Sequence, residues 1–452
     1  MILAGFLIQM MLAVEPVHQT LTVPFNVWDV TARDLNGDGF KDLISFYGER
    51  EGEVDRKGLY VYIAGDGGRY PTKPTFEFPL PPDTGNAFFT TRDSQEFLAV
   101  LTKSGATLYG YDDGAFIEAS RHEFDSLFPV RTRKPIFYRG VSVDLDGDES
   151  EEWIVPVSGG FDVWDGASRL VHLEGDVQSE ANLFGGLNVV HQIPRVHVFD
   201  LPGQETKAIG IAGRERVDFY FGDSWKETVQ RSLTTDADDR WETLSELEDI
   251  NDDGYPDLMV TTLKGTASIE VLIQIYLADE TLEYSEDPTF ELTTKGGLAI
   301  PFLQDLNGDG KLDLLVRSFP ITLRNIANYL LRNKISMKME THLFADGAFS
   351  KKSSGSISVT ADISEGREEI ASAFGDFDGD GKTDMAVGAK SSSLHIFTHG
   401  KRGTLNSKAW KIIEAHTFGI ARTSDLNGSG RDDIVIYHPL GKYQKDVEVI
   451  FF

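Results

Sequence analysis

Short apolar runs alternate with acidic turns along most of the chain. Residues 59–63 and 335–340 alternate apolar and polar side chains with a period of two, which is typical of half-buried strands. Runs such as 43–44, 153–155 and 314–316 are apolar and partly β-branched, and they indicate buried strands. The pattern predicts an all-β protein in which residues 321–332 are the one helical segment.

The first stretch between two acidic turns has room for four short strands. The predicted strands are residues 27–32, 42–47, 58–63 and 75–79. Four-stranded sheets repeated around an axis form a β-propeller, which leaves only short and protected sheet edges. We therefore expect a single propeller of four-stranded blades.

The acidic turn has a fixed pattern of oxygen-bearing side chains. In its clearest copy, Asp305-Leu-Asn-Gly-Asp-Gly-Lys-Leu-Asp313, these side chains stand at positions 1, 3, 5 and 9. Carboxylate and amide oxygens in this arrangement suit a hard cation such as Ca²⁺. The six copies place these residue types at Asp34, Asn36, Asp38 and Asp42; Asp144, Asp146, Asp148 and Glu152; Asp249, Asn251, Asp253 and Asp257; Asp305, Asn307, Asp309 and Asp313; Asp376, Asp378, Asp380 and Asp384; and Asp425, Asn427 and Asp433.

Two copies depart from the pattern. Ser429 stands at position 5 of the last loop, which therefore has one carboxylate fewer and is expected to bind a cation most weakly. Glu149 stands at position 6 of the second loop, where the others have glycine, so we expect strain or rearrangement in that turn. The predicted cofactor is structural calcium, with about five or six ions.

An EF-hand and a metal-free turn are the other interpretations of these loops. An EF-hand needs flanking helices and a bidentate glutamate at position 12. Asn-Gly and Asp-Gly favour hairpin turns without any metal. A plain turn, however, does not explain an acidic residue at position 9 in all six copies, or carboxylates that repel one another unless a cation neutralises them. Position 12 argues against the EF-hand, since it holds Ser45, Val155, Val260, Val316, Val387 and Ile436.

The spacing of the loops predicts the number of blades. Their first positions differ by 110, 105, 56, 71 and 49 residues, so each of the first two gaps has room for a degenerate copy. Residues 91–93 and 200–203 each precede a short apolar run and are the candidates, and no metal is expected at either. The count is then eight blades, or seven if one weak unit is not a blade.

The last repeat lacks an outer strand, because only two or three strands fit after Asp425. Residues 21–25 match residues 76–80, the outer strand of the first repeat, including a proline of the kind found in edge strands. We predict that residues 19–25 complete the last blade and close the ring. An irregular N-terminal arm is the alternative.

The DxNGDGxxDL loops are similar to those of the FG-GAP/VCBS repeat family. Its members fold as calcium-binding β-propellers in integrin α-subunit heads, fungal lectins and many secreted bacterial proteins. The resemblance covers residues 19–452, but it specifies no activity, because adhesion, sugar binding, scaffolding and lyase chemistry all use this fold. It implies that a main-chain carbonyl at position 7 joins the ligands, namely that of Phe40, Ser150, Tyr255, Lys311, Lys382 and Arg431.

The composition limits the kinds of partner and the cellular compartments that are expected for this protein. A formal charge of −29 argues against nucleic acid as a partner, because phosphate binding needs basic patches. The lack of cysteine excludes disulfides, zinc–thiolate sites and thiol nucleophiles. Calcium is millimolar outside the cytosol, which suits weak sites with dissociation constants of about 10⁻⁴–10⁻³ M. We therefore expect an exported protein, extracellular or periplasmic.

Residues 1–14 form an apolar stretch with a single polar side chain. Such a stretch is short for a membrane span and about the length of a signal-peptide core, although no lysine or arginine precedes it. We expect a signal peptide here. An uncleaved apolar anchor is the alternative, and it would be the route of any membrane association.

Enzymatic and sugar-binding roles compete with a protein-binding one. The ten histidines show no close metal-ligand or triad spacing, and His395 and His399 are best interpreted as ordinary blade or surface residues. A polysaccharide lyase of the calcium-rich propeller type would use residues 131–134 or the pair His191 and Arg195.

A lectin would use exposed aromatic residues with polar neighbours. Trp164, Trp225 and Trp410 are the candidates, whereas Trp28 and Trp153 flank metal loops and are expected in the blade cores. The candidates do not occupy equivalent repeat positions, which disfavours a lectin with one site per blade. We expect a non-catalytic protein-binding, adhesion or scaffold module, whose protein or glycan partner a single sequence does not reveal.

Overall fold

Each acidic loop joins the first two strands of a four-stranded antiparallel sheet in the computed structural model. The residue before position 1 pairs with the position-9 residue, as in Arg33↔Asp42 and Gln304↔Asp313. The structure describes residues 15–452 except 52–53, 82, 103, 129–133, 183–187, 233–239, 266–268, 365, 367–368 and 401–402. The predicted signal peptide at 1–14 and most of the basic cluster at 131–134 lie outside the described residues.

In the described part of the chain, eight sheets with four antiparallel strands each follow one another as blades 1 to 8, and the short strand Ile136–Phe137 adds a fifth strand to blade 2, parallel to Asn86–Arg92. The strands of blades 1 to 4 are Val27–Arg33, Asp42–Glu51, Val54–Tyr62 and Phe76–Pro79; Asn86–Arg92, Gln95–Thr102, Gly105–Asp112 and Ala115–Glu123; Ser142–Val143, Glu152–Val157, Gly160–Asp165 and Ser168–Glu174; and Arg195–Phe199, Ala208–Ala212, Arg216–Phe221 and Glu227–Ser232.

The strands of blades 5 to 8 are Arg240–Glu248, Asp257–Lys264, Glu270–Tyr276 and Phe290–Lys295; Gly297–Gln304, Asp313–Pro320, Lys334–His342 and Gly355–Asp362; Ser372–Gly375, Asp384–Ala389, Ser393–Phe397 and Lys411–Ile413; and Ile420–Ser424, Asp433–Tyr437, Asp446–Phe451 and Val17–Thr22. The all-β propeller of eight four-stranded blades is confirmed.

The ring is closed by the N-terminal strand, as predicted. Val17–Thr22 pairs antiparallel with Asp446–Phe451 and becomes the fourth strand of blade 8. Leu21 is fully buried and packs in one cluster with Val447 and Val449. The strand begins two residues before the predicted segment and ends at Thr22. The proline that follows therefore lies outside the strand, where its missing N–H removes no hydrogen bond between strands.

The two degenerate repeats form blades 2 and 4. In blade 2 the acidic loop has shrunk to Asp93 and Ser94, which have φ of 48° and 60°. Two residues with positive φ are typical of a type I′ hairpin turn, which needs no ion. Short elements that the pattern did not predict include the hairpins Gln178–Asn182 with Asn188–Gln192 and Phe344–Ala345 with Ala348–Phe349, the strand Ile136–Phe137, and the 3₁₀ turns Asp66–Gly68 and Asp223–Trp225.

The hydrophobic core is divided among the interfaces between neighbouring blades. Among the described residues, eight clusters of buried side chains cover the eight interfaces, including the one that joins blade 8 to blade 1. Between blades 1 and 2, for example, Ile44 and Phe46 pack with Leu98 and Val100. Trp153 is fully buried between blades 2 and 3, as expected of a core residue.

A helix interrupts blade 6 between its second and third strands. This helix, α1 (Leu323–Arg332), matches the predicted segment 321–332. Thr322 caps its start, because the Thr322 side chain accepts a hydrogen bond from the N–H of Asn325 (3.1 Å). Asn333 ends it in the left-handed conformation, with φ of 51°. Within the described residues, no helix has both the length and the apolar character that a bilayer crossing requires.

Candidate metal centre

Each acidic loop folds around the aspartate at its first position. In blade 6, Asp305 Oδ1 accepts hydrogen bonds from the N–H groups of Gly308 (2.7 Å) and Asp309 (3.2 Å), and Oδ2 accepts one from Gly310 (2.9 Å). These bonds turn the backbone around one carboxylate. The same position-6 bond is made in the other loops to Asp34, Asp144, Asp249, Asp376 and Asp425.

Positions 4 and 6 of the loop require positive φ. In blade 6 these are Gly308 and Gly310, with φ of 76° and 85°. Glu149 is held in the same conformation at position 6 of the blade 3 loop, with φ of 71°. Its N–H lies 3.3 Å from Asp144 Oδ2, whereas the corresponding bonds of the other loops measure 2.8–2.9 Å. The loop therefore keeps its shape and carries local strain.

We expect Glu149→Gly to raise the free energy of unfolding by about 1 kcal/mol, since the left-handed conformation costs an L-residue about 1–2 kcal/mol. The hydrogen bond from Ser94 Oγ to Glu149 (2.7 Å) is lost, which offsets part of the gain. Urea denaturation measures the change. Gly381→Ala is the matched control, because Gly381 has φ of +79° and an added Cβ would meet nothing within 4 Å. The free energy of unfolding of this control should fall by about the same amount. If Glu149→Gly lowered the free energy of unfolding and Gly381→Ala left it unchanged, the strain at Glu149 would be contradicted.

The position-9 carboxylates are buried anchors. Asp313 is 0 % exposed, and its two oxygens accept hydrogen bonds from the N–H groups of Leu306 (3.3 Å) and Phe344 (2.9 Å). It thereby ties the start of the loop to the segment after the third strand. The sequence did not reveal these amide donors, because main-chain groups carry no residue signature. The donors equivalent to Phe344 are the N–H groups of Ala64, Ala278, His399 and Phe452.

Burial raises the pKa of every position-9 carboxyl. The pKa is raised to about 6 for Asp42 and Asp433, and to about 7 for Asp257, Asp313, Asp384 and Glu152. Desolvation is the main cause, and neighbouring carboxylates of the same loop raise the pKa further, whereas the amide hydrogen bonds lower it. Burial therefore disfavours the ionised form of these carboxyls, and a positive charge within the loop would offset that cost.

Two loops have a carboxylate at position 3 as well, and their oxygens converge. One carboxylate oxygen each of Asp144, Asp146 and Glu152 lies within 4.8 Å of the others, and the same holds for Asp376, Asp378 and Asp384. Calcium–oxygen distances of about 2.3–2.6 Å place oxygens on opposite sides of one ion up to about 5 Å apart. The two sets therefore have the dimensions of a calcium site.

The remaining predicted ligands lie in the same loops. Each position-5 side chain accepts the N–H of position 7, for example Asp309 from Lys311 (3.0 Å). In blades 1 and 5 the position-3 asparagines donate a side-chain N–H to the position-5 aspartates, at 3.0 and 2.8 Å. The other position-7 bonds run from Phe40, Ser150, Tyr255, Lys382 and Arg431 to position 5. The assignment of these oxygens to a metal stays a prediction.

Neighbouring loops are hydrogen-bonded to one another across the blades. In blades 6, 1 and 8 the N–H at position 8 donates to a loop carbonyl of the preceding blade: Leu312 to Ile250 (2.8 Å), Lys41 to Leu426 (3.0 Å) and Asp432 to Asp376 (2.9 Å). The second of these bonds crosses the junction at which the ring closes. These bonds link pairs of neighbouring loops along one rim of the propeller.

Two segments of the chain, residues 249–316 and 376–436, match the family model of the FG-GAP-like repeat. Each segment begins at position 1 of one acidic loop and ends within the strand that follows the next loop. These segments are FG-GAP-like repeats. The predicted resemblance is thus confirmed over these two segments, which span parts of blades 5 to 8, and the chain is an eight-bladed propeller that carries FG-GAP-like repeats.

Solved propellers are similar to this chain over almost its whole length. The Dos1 propeller is 10% identical and has a TM-score of 0.43, and the match covers 96% of this chain and 93% of that chain. BBS1N, solved in complex with ARL6DN, is 9% identical with a TM-score of 0.38, covering 95% of this chain and 94% of that chain. No curated protein matches this chain.

Proposed function

We propose that this FG-GAP propeller is an exported module that binds calcium in its acidic loops and binds a protein partner without catalysis. The oxygens at positions 1, 3, 5 and 9 would hold the ions. Each ion would neutralise a carboxylate cluster and fix one rim loop. Export is supported by the family, because FG-GAP repeats are typical of extracellular proteins, where calcium is abundant.

The observation that supports protein binding is the orientation of helix α1. Its apolar side chains point to solvent: Leu323 is 88% exposed, Leu331 82% and Leu330 68%. Its partly buried residues are polar, namely Asn325 and Asn328. The side chain of Asn325 donates a hydrogen bond to the carbonyl of Pro320 (2.8 Å), which holds the polar face against the blade.

A helix that stabilises its own domain turns its apolar face inward. Helix α1 does the opposite, so its leucines contribute little to the stability of the propeller. Leu323, Ile326 and Leu330 follow the i, i+3, i+7 spacing with which a helix fills an apolar groove of a partner. Exposed apolar patches of this kind mark interaction sites.

Site-specific photo-cross-linking tests this function. A photoreactive side chain at Leu330 should capture one partner from native extracts, and the triple variant Leu323→Ser, Leu330→Ser, Leu331→Ser should compete with the wild-type protein at least about 100-fold less well, because hot-spot side chains contribute about 2 kcal/mol or more each. The control is Ile412→Ser, at an exposed apolar residue of blade 7 that is 58% exposed. Equal competition by the triple variant and the control would refute a role for α1.

The lectin alternative loses one of its three candidates. Trp225 is a core residue, 5% exposed, whose Nε1 donates to the carbonyl of Lys207 (2.9 Å). Trp164 is partly buried and packs against Phe124, whereas Trp410 is 39% exposed. Trp410 therefore remains as the exposed platform for a sugar. Glycan-array binding that Trp410→Ala abolishes would favour the lectin over the protein-binding module.

One observation favours the lyase alternative. The predicted pair His191 and Arg195 lines a single cavity of ≈ 520 Å³ together with Tyr138 and Arg139. Arg195, however, is paired with Glu246, and Arg139 Nη2 lies 3.2 Å from Asp29 Oδ1, which reduces the positive charge available to a uronate. Release of unsaturated uronates from pectin, followed by their ultraviolet absorbance, would establish the enzyme.

A further inference from the structure

Three histidines surround one buried glutamate in blade 8, at the end of the blade opposite its acidic loop. Glu448 is 1% exposed and lies on the third strand. His438 directly follows the second strand, His416 lies in the connection that enters the blade, and His18 lies on the N-terminal strand. The sequence did not reveal this cluster, because His416, His438 and Glu448 have no close metal-ligand spacing and His18 stands about 400 residues before them.

One oxygen of Glu448 faces two of the histidines. Glu448 Oε2 lies 2.7 Å from His416 Nδ1 and 3.5 Å from His438 Nε2. One ligand atom each of His416, His438 and Glu448 lies within 4.8 Å of the other two. The other oxygen, Oε1, lies 3.0 Å from His18 Nε2.

His438 offers a lone pair that nothing in the described structure uses. Its Nδ1 lies 2.7 Å from the carbonyl of Phe418, so Nδ1 carries the proton and donates it. Nε2 is therefore unprotonated in the neutral ring, and it is buried without a hydrogen-bond partner among the described residues. An imidazole oriented by a carbonyl at one nitrogen and bare at the other is the usual arrangement of a metal ligand.

We propose that His416 Nδ1, His438 Nε2 and Glu448 Oε2 bind one Zn²⁺-class transition-metal ion, in a site separate from the acidic loops. Two histidines and one carboxylate are a known zinc ligand set that leaves a fourth position open. Zinc bonds of about 2.0–2.1 Å at tetrahedral angles place neighbouring ligand atoms about 3.3 Å apart. The observed 2.7 and 3.5 Å bracket this value, so small side-chain rotations admit the ion.

The fourth position has room for water or an external ligand. His416 and His438 both line a cavity of ≈ 150 Å³, together with Glu369 and Tyr443. Imidazole and carboxylate ligands favour zinc over calcium, which takes six to eight oxygens. The two classes of site on this propeller therefore select different ions.

His18 links the metal site to the N-terminal strand that closes the ring. It contacts Glu448 from the N-terminal strand, which closes the propeller, and it is a positioning residue for the ligand carboxylate. Binding of the ion holds Glu448 in place and, through His18, favours the docked N-terminal strand. Metal occupancy and ring closure are thus coupled.

Titration of the calcium-loaded protein tests this site. After chelation and refilling with excess Ca²⁺, Co²⁺ should bind with one ion per chain, give the visible absorption of a tetrahedral complex, and be displaced by Zn²⁺. His416→Ala and His438→Asn should each weaken binding by more than the about 10–100-fold that the loss of an outer-shell partner costs, and His18→Asn by about tenfold. Zn²⁺ should also raise the melting temperature of the wild-type protein above that of the Ca²⁺ form.

His172→Asn is the matched control, because His172 Nδ1 lies 2.8 Å from Asp162 Oδ1 in a histidine–carboxylate pair of blade 3. It should bind Co²⁺ like the wild-type protein. Unchanged binding in the His416 and His438 variants, or no stoichiometric Co²⁺ in the folded wild-type protein, would overturn the site. Far-ultraviolet circular dichroism identifies any variant that fails to fold, and His18→Asn, at a side chain 29% exposed, then carries the test. Failure of calcium binding would leave this titration unaffected, so the two proposals fail separately.

Discussion

Chelation of calcium is expected to lower the melting temperature by roughly 9 °C. At free calcium tenfold above a dissociation constant of about 10⁻⁴ M, each site contributes about 1.4 kcal/mol to the free energy of unfolding. Six such sites contribute about 8 kcal/mol. An unfolding entropy of about 2.1 cal/mol/K per residue converts this sum into the stated shift for 452 residues.

Differential scanning calorimetry with Ca²⁺ and with EGTA measures this effect. Mg²⁺ at equal ionic strength is the control, because it demands octahedral geometry and retains its waters, and it should restore little of the loss. Elemental analysis of the calcium-loaded protein gives the stoichiometry. A melting temperature that chelation leaves unchanged would contradict calcium as a structural ion.

Replacement of Asp313 by alanine is expected to lower the free energy of unfolding by about 2–6 kcal/mol, whether or not calcium is present. The reason is that the N–H groups of Leu306 and Phe344 both donate to this carboxylate. Each buried N–H left without an acceptor costs about 1–3 kcal/mol. Urea denaturation in Ca²⁺ and in EGTA measures the two values.

Asp309→Ala is the matched control in the same loop. Asp309 is exposed, and it accepts the N–H of Lys311 at the surface. Its loss should remove one ion and so lower the free energy of unfolding in Ca²⁺ by about 1.4 kcal/mol. In EGTA the same variant should change the free energy of unfolding by less than about 1 kcal/mol. Similar losses for both variants in EGTA would show that position 9 is not the structural anchor of the loop.

Much of the fold could be predicted because the repeats are local. The acidic loop, the apolar run that follows it and the interval to the next loop lie within about 60 residues, and together they predict the blades and their number. The helix near residues 323–332 was predictable for the same reason. The closing strand was predictable because the last repeat lacked a fourth strand, and because the N-terminal segment contained a strand that belonged to no other repeat.

The individual sites were harder to predict from the sequence than the fold was. The sequence showed six sets of oxygens, but not that position 9 is buried and holds two main-chain amides. It misplaced Trp225, because a tryptophan in a turn resembles an exposed platform until the 3₁₀ turn Asp223–Trp225 is seen to fold into the core. The strain at Glu149 was anticipated from the missing glycine, and the left-handed φ confirms it.

The sequence by itself determined the repeat, the propeller, the blade count and the acidic loops, because these depend on patterns of neighbouring residues. Only the tertiary structure decided which groups from distant blades meet. The bonds between neighbouring loops depend on how the blades pack, the outward leucines of α1 depend on how the helix lies on blade 6, and the contact of His18 with Glu448 depends on closing the ring. Closure brings residue 18 beside residue 448, and no local pattern records a contact across that distance.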